Sequence, residues 1–238
     1  MLNKNKNSIE NIIRKKTFLA ILPARGNSQR VKNKNLFKFK KKPLIYWTIK
    51  SAIKSKYISD ICVTSDSKEI LSYCKKMNLK TILRPKSLSG NVIMPDKAVK
   101  HAYLRLKKKF DFIVMLQPTS PLRTHEDIDN AIETIIENKS NSLFSSYLET
   151  GLIWKKGKNN FIPINYNFKK RPRSQEKQSI SFYVENGAIY ISKPNLLIKN
   201  SNRLGGKIST YVMPYDRSID IDSIHDFKEA EKIANSKK

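Results

Sequence analysis

Apolar residues come in short bursts whose spacing switches between two periods. TFLAIL (Thr17 to Leu22) is a short apolar run ending at Pro23, and Ile58 to Thr64, apolar at Ile58 and from Ile61 to Val63, closes at Ser65-Asp66; segments of this kind bounded by turn residues predict buried strands. Thr81 to Leu83 and Phe110 to Gln117 read the same way. Between them, Pro43 to Lys54, Ser67 to Met77, Asp96 to Lys108 and His125 to Glu137 repeat their apolar residues every three to four positions, which predicts amphipathic helices. Strands alternating with helices at this spacing predict an α/β fold, a Rossmann-like, doubly wound and mostly parallel sheet. The pattern changes after Ser142. Residues 147–183 are rich in Lys, Asn and Pro with short β-like pieces and read as an inserted arm. Gly187 to Ser192 and Ile208 to Met213 return as strands, and Asp226 to Ala234 closes with a helix. An arm with so little apolar periodicity of its own is expected to find its packing partner in a second subunit.

Length and charge refine this picture. The chain has 238 residues, enough for one ordinary domain with an insertion. Residues 1–16 are polar and Lys/Asn-rich and read as a mobile basic leader, leaving 17–236 as the folded domain with its inserted arm. No apolar stretch approaches the roughly 20 residues a bilayer-crossing helix needs, and the N-terminus lacks the apolar core of a signal peptide. Cys62 and Cys74 fall on a strand and a helix without metal-type spacing, as expected of reduced, buried thiols in a cytoplasmic protein. The net charge is +27, from 47 Lys+Arg against 20 Asp+Glu. Such a charge raises the possibility of a basic nucleic-acid-binding α/β protein. The cations, however, are mostly Lys and run the length of the chain, whereas base-edge reading favours Arg. A solvated basic surface that favours anionic small substrates is the expectation, with neither nucleic acid nor membrane as partner.

Three segments carry candidate chemistry. In an open α/β sheet ligands bind beyond the carboxyl ends of the strands, and the loop PARGNSQRVKNKN lies there after the first strand. Gly26 permits close backbone approach, Asn27 and Ser28 leave amides exposed, and Arg25, Arg30, Lys32 and Lys34 supply cations, a set that suits a triphosphate. It matches neither the Walker nor the GxGxxG pattern. After the strand FIVML, two prolines stiffen the turn Gln117-Pro118-Thr119-Ser120-Pro121 and present Gln117 at the sheet edge. In Ser218-Ile219-Asp220-Ile221-Asp222, alternation puts Asp220 and Asp222 on one face. Two such carboxylates either hold Mg²⁺ together with substrate phosphates, or Asp222 merely caps the last helix.

Taken together, ARGNS with Lys34-Asn35, the strand followed by TSDS, LRP (Leu83 to Pro85), LQPTSPLR (Leu116 to Arg123), ENGAIYI (Glu185 to Ile191) and SIDID resemble, in order, the acylneuraminate cytidylyltransferases. These are the CMP-sialic acid synthetases and relatives acting on legionaminic and pseudaminic acids. The resemblance implies a nucleotide-diphospho-sugar transferase fold and a homodimer that joins CTP to an acidic nonulosonic sugar with Mg²⁺. It places Arg25 and Lys34 on the CTP phosphates, Asn35 beside the ribose and Arg84 on the pyrimidine. Gln117 and Tyr190 fall in the sugar pocket, Asp220 and Asp222 on the metal, and Arg173 and Gln175 on the arm that reaches the neighbouring subunit's sugar carboxylate. The chain departs from the pattern at Gln29, at Asn91, Val92 and Pro95, and at Arg203-Leu204, where sialic-acid synthetases carry aromatic residues. A CMP-3-deoxy-octulosonate-type synthetase is the alternative within the class.

Overall fold

The computed structural model describes residues 2–26, 31, 33–90 and 92–236. In chain order, helix α1 (Leu2–Arg14) leads into β1 (Phe18–Pro23), a small hairpin of β2 (Lys38–Phe39) and β3 (Lys42–Pro43), and α2 (Leu44–Lys54). Then come β4 (Ile58–Ser65), α3 (Lys68–Lys75), β5 (Lys80–Leu83), α4 (Pro95–Arg105), β6 (Phe112–Leu116), α5 (His125–Glu137) and β7 (Ser142–Glu149). The arm carries a hairpin of β8 (Trp154–Lys156) and β9 (Phe161–Pro163). Strand β10 (Phe182–Ser192), α6 (Pro194–Asn200), β11 (Ile208–Val212) and α7 (Ile224–Ser236) complete the fold.

Seven strands form one sheet in the order β11-β7-β10-β6-β1-β4-β5. Strands β1, β4, β5 and β6 are parallel, and β11 is parallel to β7, but β10 runs antiparallel to both β6 and β7. The sheet is therefore mixed, with its parallel part centred on β1. The chain builds outward from β1 through β4 to β5, then crosses to β6 on the other side, so the strand order reverses between β1 and β6. A doubly wound sheet opens a crevice at such a reversal.

Strands β1 and β6 are apolar throughout because both faces are covered. On one face Leu22, Val63 and Val114 pack with Ile45, Ile49, Ile128 and Ile132 of α2 and α5. On the other, Leu19, Ile21 and Met115 meet Val99 and Ala102 of α4 and Leu197 of α6. The leader, expected to be mobile, is helical. Ile9 and Ile13 are four residues apart on one face of α1 and pack into the first of these clusters, with Ile13 fully buried. A third cluster joins Phe39, Leu44, Phe227 and Ala230 to Ile221, which pins the segment between the two candidate carboxylates. Cys62 and Cys74 are buried thiols that burial pushes up to about 12, far from a nucleophile's range. Among the described residues no helix is long and apolar enough to cross a membrane.

Candidate active site

The carboxyl ends of β1, β5 and β6 open into a cavity of about 300 Å³. Arg25, Lys34, Asn35, Arg84, Gln117, Thr119, Asp220 and Asp222 all line it. Residues from both ends of the chain thus meet in one chamber, beside the strand-order reversal.

Close backbone approach builds its first wall. A Cβ on Gly26 would lie 2.7 Å from the Ser67 Cβ, so only glycine lets the turn after β1 pass the start of α3. The Asp66 carboxylate, at the end of β4, accepts the Gly26 N–H at 2.9 Å and faces the Arg84 Nη2 at 3.4 Å. One carboxylate therefore aligns the β1 loop and the β5 end together. Arg84 is buried, its Nε donates to Ser89 Oγ at 2.9 Å, and burial pulls its pKa down while Asp66 opposes the shift. Asn35 Nδ2 donates to the Arg25 carbonyl at 2.8 Å, closing the loop on itself. Asn27, Ser28 and Arg30 lie outside the described residues.

The opposite wall is the Gln117 turn and the strand β10 that pairs with β6. Arg123 is buried, and its Nη1 donates to the carbonyls of Gln117 (3.2 Å) and Ala188 (2.7 Å), tying the ends of two antiparallel strands. Gly187 has φ +72, and a Cβ there would stand 3.4 Å from Gln117 Nε2 and 3.5 Å from Asp220 Oδ2. Any other residue would be strained by that φ, while a Cβ itself would only come into van der Waals contact with both side chains. The neighbouring Asn186 is buried. It accepts from Ser145 Oγ at 2.6 Å and donates to Ser218 Oγ at 3.0 Å, linking β7, β10 and the carboxylate segment.

Asp220 and Asp222 arrive on an extended segment whose middle residue, Ile221, is buried, with its N–H donating to the Thr119 carbonyl at 2.8 Å. Burial raises the Asp220 pKa; the Thr119 side chain and Lys34 pull it down, and the charge of Asp222 adds to the rise. Lys34, 7% exposed, donates its Nζ to the Ile221 carbonyl at 2.6 Å and lies 3.1 Å from Asp222 Oδ1. The cap of α7 is formed by its neighbours. Asp226 accepts from the Asp222 and Ser223 backbone N–H groups, and Ser223 Oγ accepts from the Asp226 N–H, so the Asp222 side chain is not needed for that task.

Tyr190 lies elsewhere. It lines a second cavity of about 420 Å³ with Asp96, Glu185 and Arg203; Met94 borders both cavities. The Tyr190 hydroxyl donates to Glu185 Oε2 at 2.9 Å, and burial followed by that bond raises its pKa. Arg203 makes a two-pronged bond to the buried Asp96, Nε to Oδ1 at 3.1 Å and Nη2 to Oδ2 at 2.7 Å. Arg173 and Gln175 sit on an exposed 3₁₀ turn (Ser174–Ile180 and its leading residue) and line neither cavity of their own chain.

A site with this makeup, cations from the first loop facing two carboxylates from the last segment across the sheet's switch point, is suited to holding a nucleotide triphosphate and a cation. The sequence profile of the cytidylyltransferases matches residues 19–233. The chain belongs to the cytidylyltransferase family. An N-acylneuraminate cytidylyltransferase of Escherichia coli O18:K1:H7 is 26% identical over 232 residues, 92% of this chain and 52% of its own, so this cytidylyltransferase spans about half the length of that relative. A pseudaminic acid cytidylyltransferase of Campylobacter jejuni is 28% identical over 218 residues, 88% of this chain and 93% of its own. Among solved structures, a CMP:2-keto-3-deoxy-manno-octonic acid synthetase complexed with CTP aligns with a TM-score of 0.69 at 15% identity, covering 93% of this chain and 100% of its own. At that identity the likeness speaks to the fold alone, and the fold is the α/β transferase architecture expected from the sequence.

Asp96, Arg123, Asn186 and Arg203 are site-building residues to which motif reading gave no such role, whereas Asp66, at a strand end, anchors its loop as its position leads one to expect. The signal for Asp66 was its place directly after a strand. Asp96 sits in the first turn of α4, where an acid is ordinarily read as a helix-dipole residue.

Proposed function

We propose that the chain joins CTP to an acidic nine-carbon sugar, giving a CMP-sugar and pyrophosphate. The observation that carries this reading is the convergence of Arg25, Lys34 and Arg84 with Asp220 and Asp222 in one cavity. The sugar's anomeric hydroxyl attacks the α-phosphorus in line, the bond to the bridging oxygen breaks as pyrophosphate leaves, and the hydroxyl proton passes to solvent. In phosphoryl transfer of this kind the protein contributes positioning and charge stabilisation rather than a covalent intermediate. Arg25 and Lys34 neutralise the departing phosphates, Asn35 orders the ribose side of the loop, and Arg84, fixed by Ser89 and Asp66, faces the pyrimidine. Gln117 orients the sugar next to the α-phosphate, and the polar second cavity with Tyr190 takes the remainder of the nonulosonic chain.

The donor set fits Mg²⁺. Among the described residues no three His, Cys, Asp or Glu side chains converge as a metal site. Asp220 and Asp222 alone would be two hard oxygen donors, the number Mg²⁺ takes from protein when substrate phosphates complete its shell. Bound there, Mg²⁺ would supply neutralisation of the charge that builds on the phosphate oxygens.

A homodimer belongs to the same reading. The arm exposes Trp154, Phe161, Ile162 and Phe168, an apolar group that a second copy would cover while bringing Arg173 and Gln175 to the sugar carboxylate. The two buried thiols suit a reducing cytoplasm.

The test is pyrophosphate release from CTP and Mg²⁺ with neuraminic, legionaminic and pseudaminic acids, and with 3-deoxy-octulosonic acid beside them. Release with at least one nine-carbon acid is expected. Release with the eight-carbon acid alone would move the protein to the alternative substrate class. Duplex-DNA affinity that falls steeply with salt, without pyrophosphate release, would instead favour the nucleic-acid reading.

A further inference from the structure

Lys34 does two incompatible things. Reading it as a phosphate ligand puts its ammonium over the leaving group, yet its Nζ is committed 2.6 Å from the Ile221 carbonyl and 3.1 Å from Asp222 Oδ1. A cation taken up by Asp222 would compete with it for that carboxylate oxygen. Lys34 is buried, and its ammonium lies on the carboxylate side of the cavity.

We infer that Lys34 is the resident counter-ion of the Asp220–Asp222 pair, and that nucleotide phosphates must draw it away before the pair takes up a divalent cation. This rests on the reading of those carboxylates as the metal pair and adds the order in which the ligands bind.

The surroundings say which part moves. The carboxylate segment is fixed. Ile221 is buried in the cluster with Phe39 and Phe227, its N–H is held by the Thr119 carbonyl, and the Asp222 N–H is held by Asp226. The backbone of the Lys34–Leu36 turn is fixed as well, by the Asn35 bond to the Arg25 carbonyl and the Leu36 N–H bond to Asn33. What remains is a four-carbon stem bearing a point charge, the side chain best able to trade one anionic partner for another. Charge balance gives the direction. Within the trio of Asp220, Asp222 and Lys34, two carboxylates and one ammonium sum to −1. Adding a divalent cation beside the ammonium would make it +1 with like charges crowded together, whereas releasing the ammonium to the phosphates leaves it neutral. One side chain thereby couples two ligands, and the coupling acts equally in both directions.

The experiment measures Mn²⁺ binding to the full chain by electron paramagnetic resonance and calorimetry, without substrate and without turnover. Lys34→Met keeps the length of the stem and removes the charge, and Lys34→Arg keeps a cation. Without nucleotide, Lys34→Met should bind Mn²⁺ about tenfold or more tightly than the wild type, within the range of ordinary site coupling, and Lys34→Arg should stay weak. Equal Mn²⁺ affinity in wild type and Lys34→Met, both folded by circular dichroism, overturns the counter-ion role. Should Lys34→Met fold poorly, Lys34→Gln serves in its place with the same expected gain. The metal reading is tested separately by adding Asp220→Asn and Asp222→Asn to the Lys34→Met chain. Loss of the tight Mn²⁺ site supports both claims, while retention places the metal elsewhere and removes the ground on which the inference stands.

Discussion

The guanidinium carbon of Arg203 lies 4.5 Å from the centre of the Tyr190 ring, while the same guanidinium grips Asp96. A flat cation stacked on an aromatic face and locked by a buried carboxylate makes a rigid wall. In the proposed reading, this wall touches the sugar and not the nucleotide. Arg203→Ala is expected to raise KM for the acidic sugar by about tenfold, the loss of one good contact, and to leave KM for CTP nearly unchanged. Pyrophosphate release with each substrate varied in turn measures both.

Removing charge from the carboxylate pair separates chemistry from fold. Asp220→Asn and Asp222→Asn should each lower kcat by about 10²-fold or more, the usual cost of losing charge stabilisation at the transition state. Desolvation is the largest cause of the raised Asp220 pKa, but the residue is exposed at the cavity surface, so its neutral amide should leave thermal stability nearly unchanged. Turnover at the wild-type rate in both variants would remove these residues from the reaction.

Acid stability should be set partly by Asp127. Burial pushes this carboxyl up, but hydrogen bonds from Arg217 and the Thr124 backbone, with Tyr211 also donating, outweigh it and hold the pKa below the ordinary 3.8. A carboxylate with a depressed folded-state pKa stabilises the fold above its unfolded value and loses that contribution as pH falls through the folded one. Asp127→Asn should therefore melt well below the wild type at pH 6, and the gap should narrow as pH drops below 3.8. Melting temperature against pH for both proteins checks it; a constant gap would dissociate Asp127 from acid unfolding.

The arm gives a prediction about assembly. Phe161 is 66% and Phe168 58% exposed, and Phe161→Asp should shift a dimer to monomer in sedimentation velocity. Arg173→Ala should raise KM for the sugar without changing the sedimentation coefficient. A wild type that is monomeric at micromolar concentration would remove the arm from the interface.

Much of the scaffold was legible because apolar runs and helical spacing are local. α5 spans His125–Glu137 as read, since Thr124 and Asp127 form a capping box that marks its start in the sequence. β7 was hidden. Its SLFSSYLE sequence puts Ser142, Ser145 and Ser146 inside the protein, where hydrogen bonds to Gly205, Asn186 and Thr210 satisfy the hydroxyls; a pattern search for apolar residues passes over a strand built that way. The direction of β10 was equally silent, because alternation along a strand is the same read either way. In the cavity, Arg25, Arg84 and Gln117 stood out because each closely follows a strand, and Lys34 because the loop that carries it is rich in cations. Asp96 and Arg203 are separated by more than a hundred positions, and nothing in either neighbourhood names the other.

Strand β10 starts in the arm at Phe182, passes Glu185 in the Tyr190 chamber and Gly187 beside Asp220, and ends at Ser192. Its pairing shifts register between Glu185 and Tyr190, with Gly187 at φ +72, so its regularity breaks where it passes the site. A companion that grips the leading end in the arm would steady that break, so slack at the grip would surface as blurred catalysis in a protein that still melts normally.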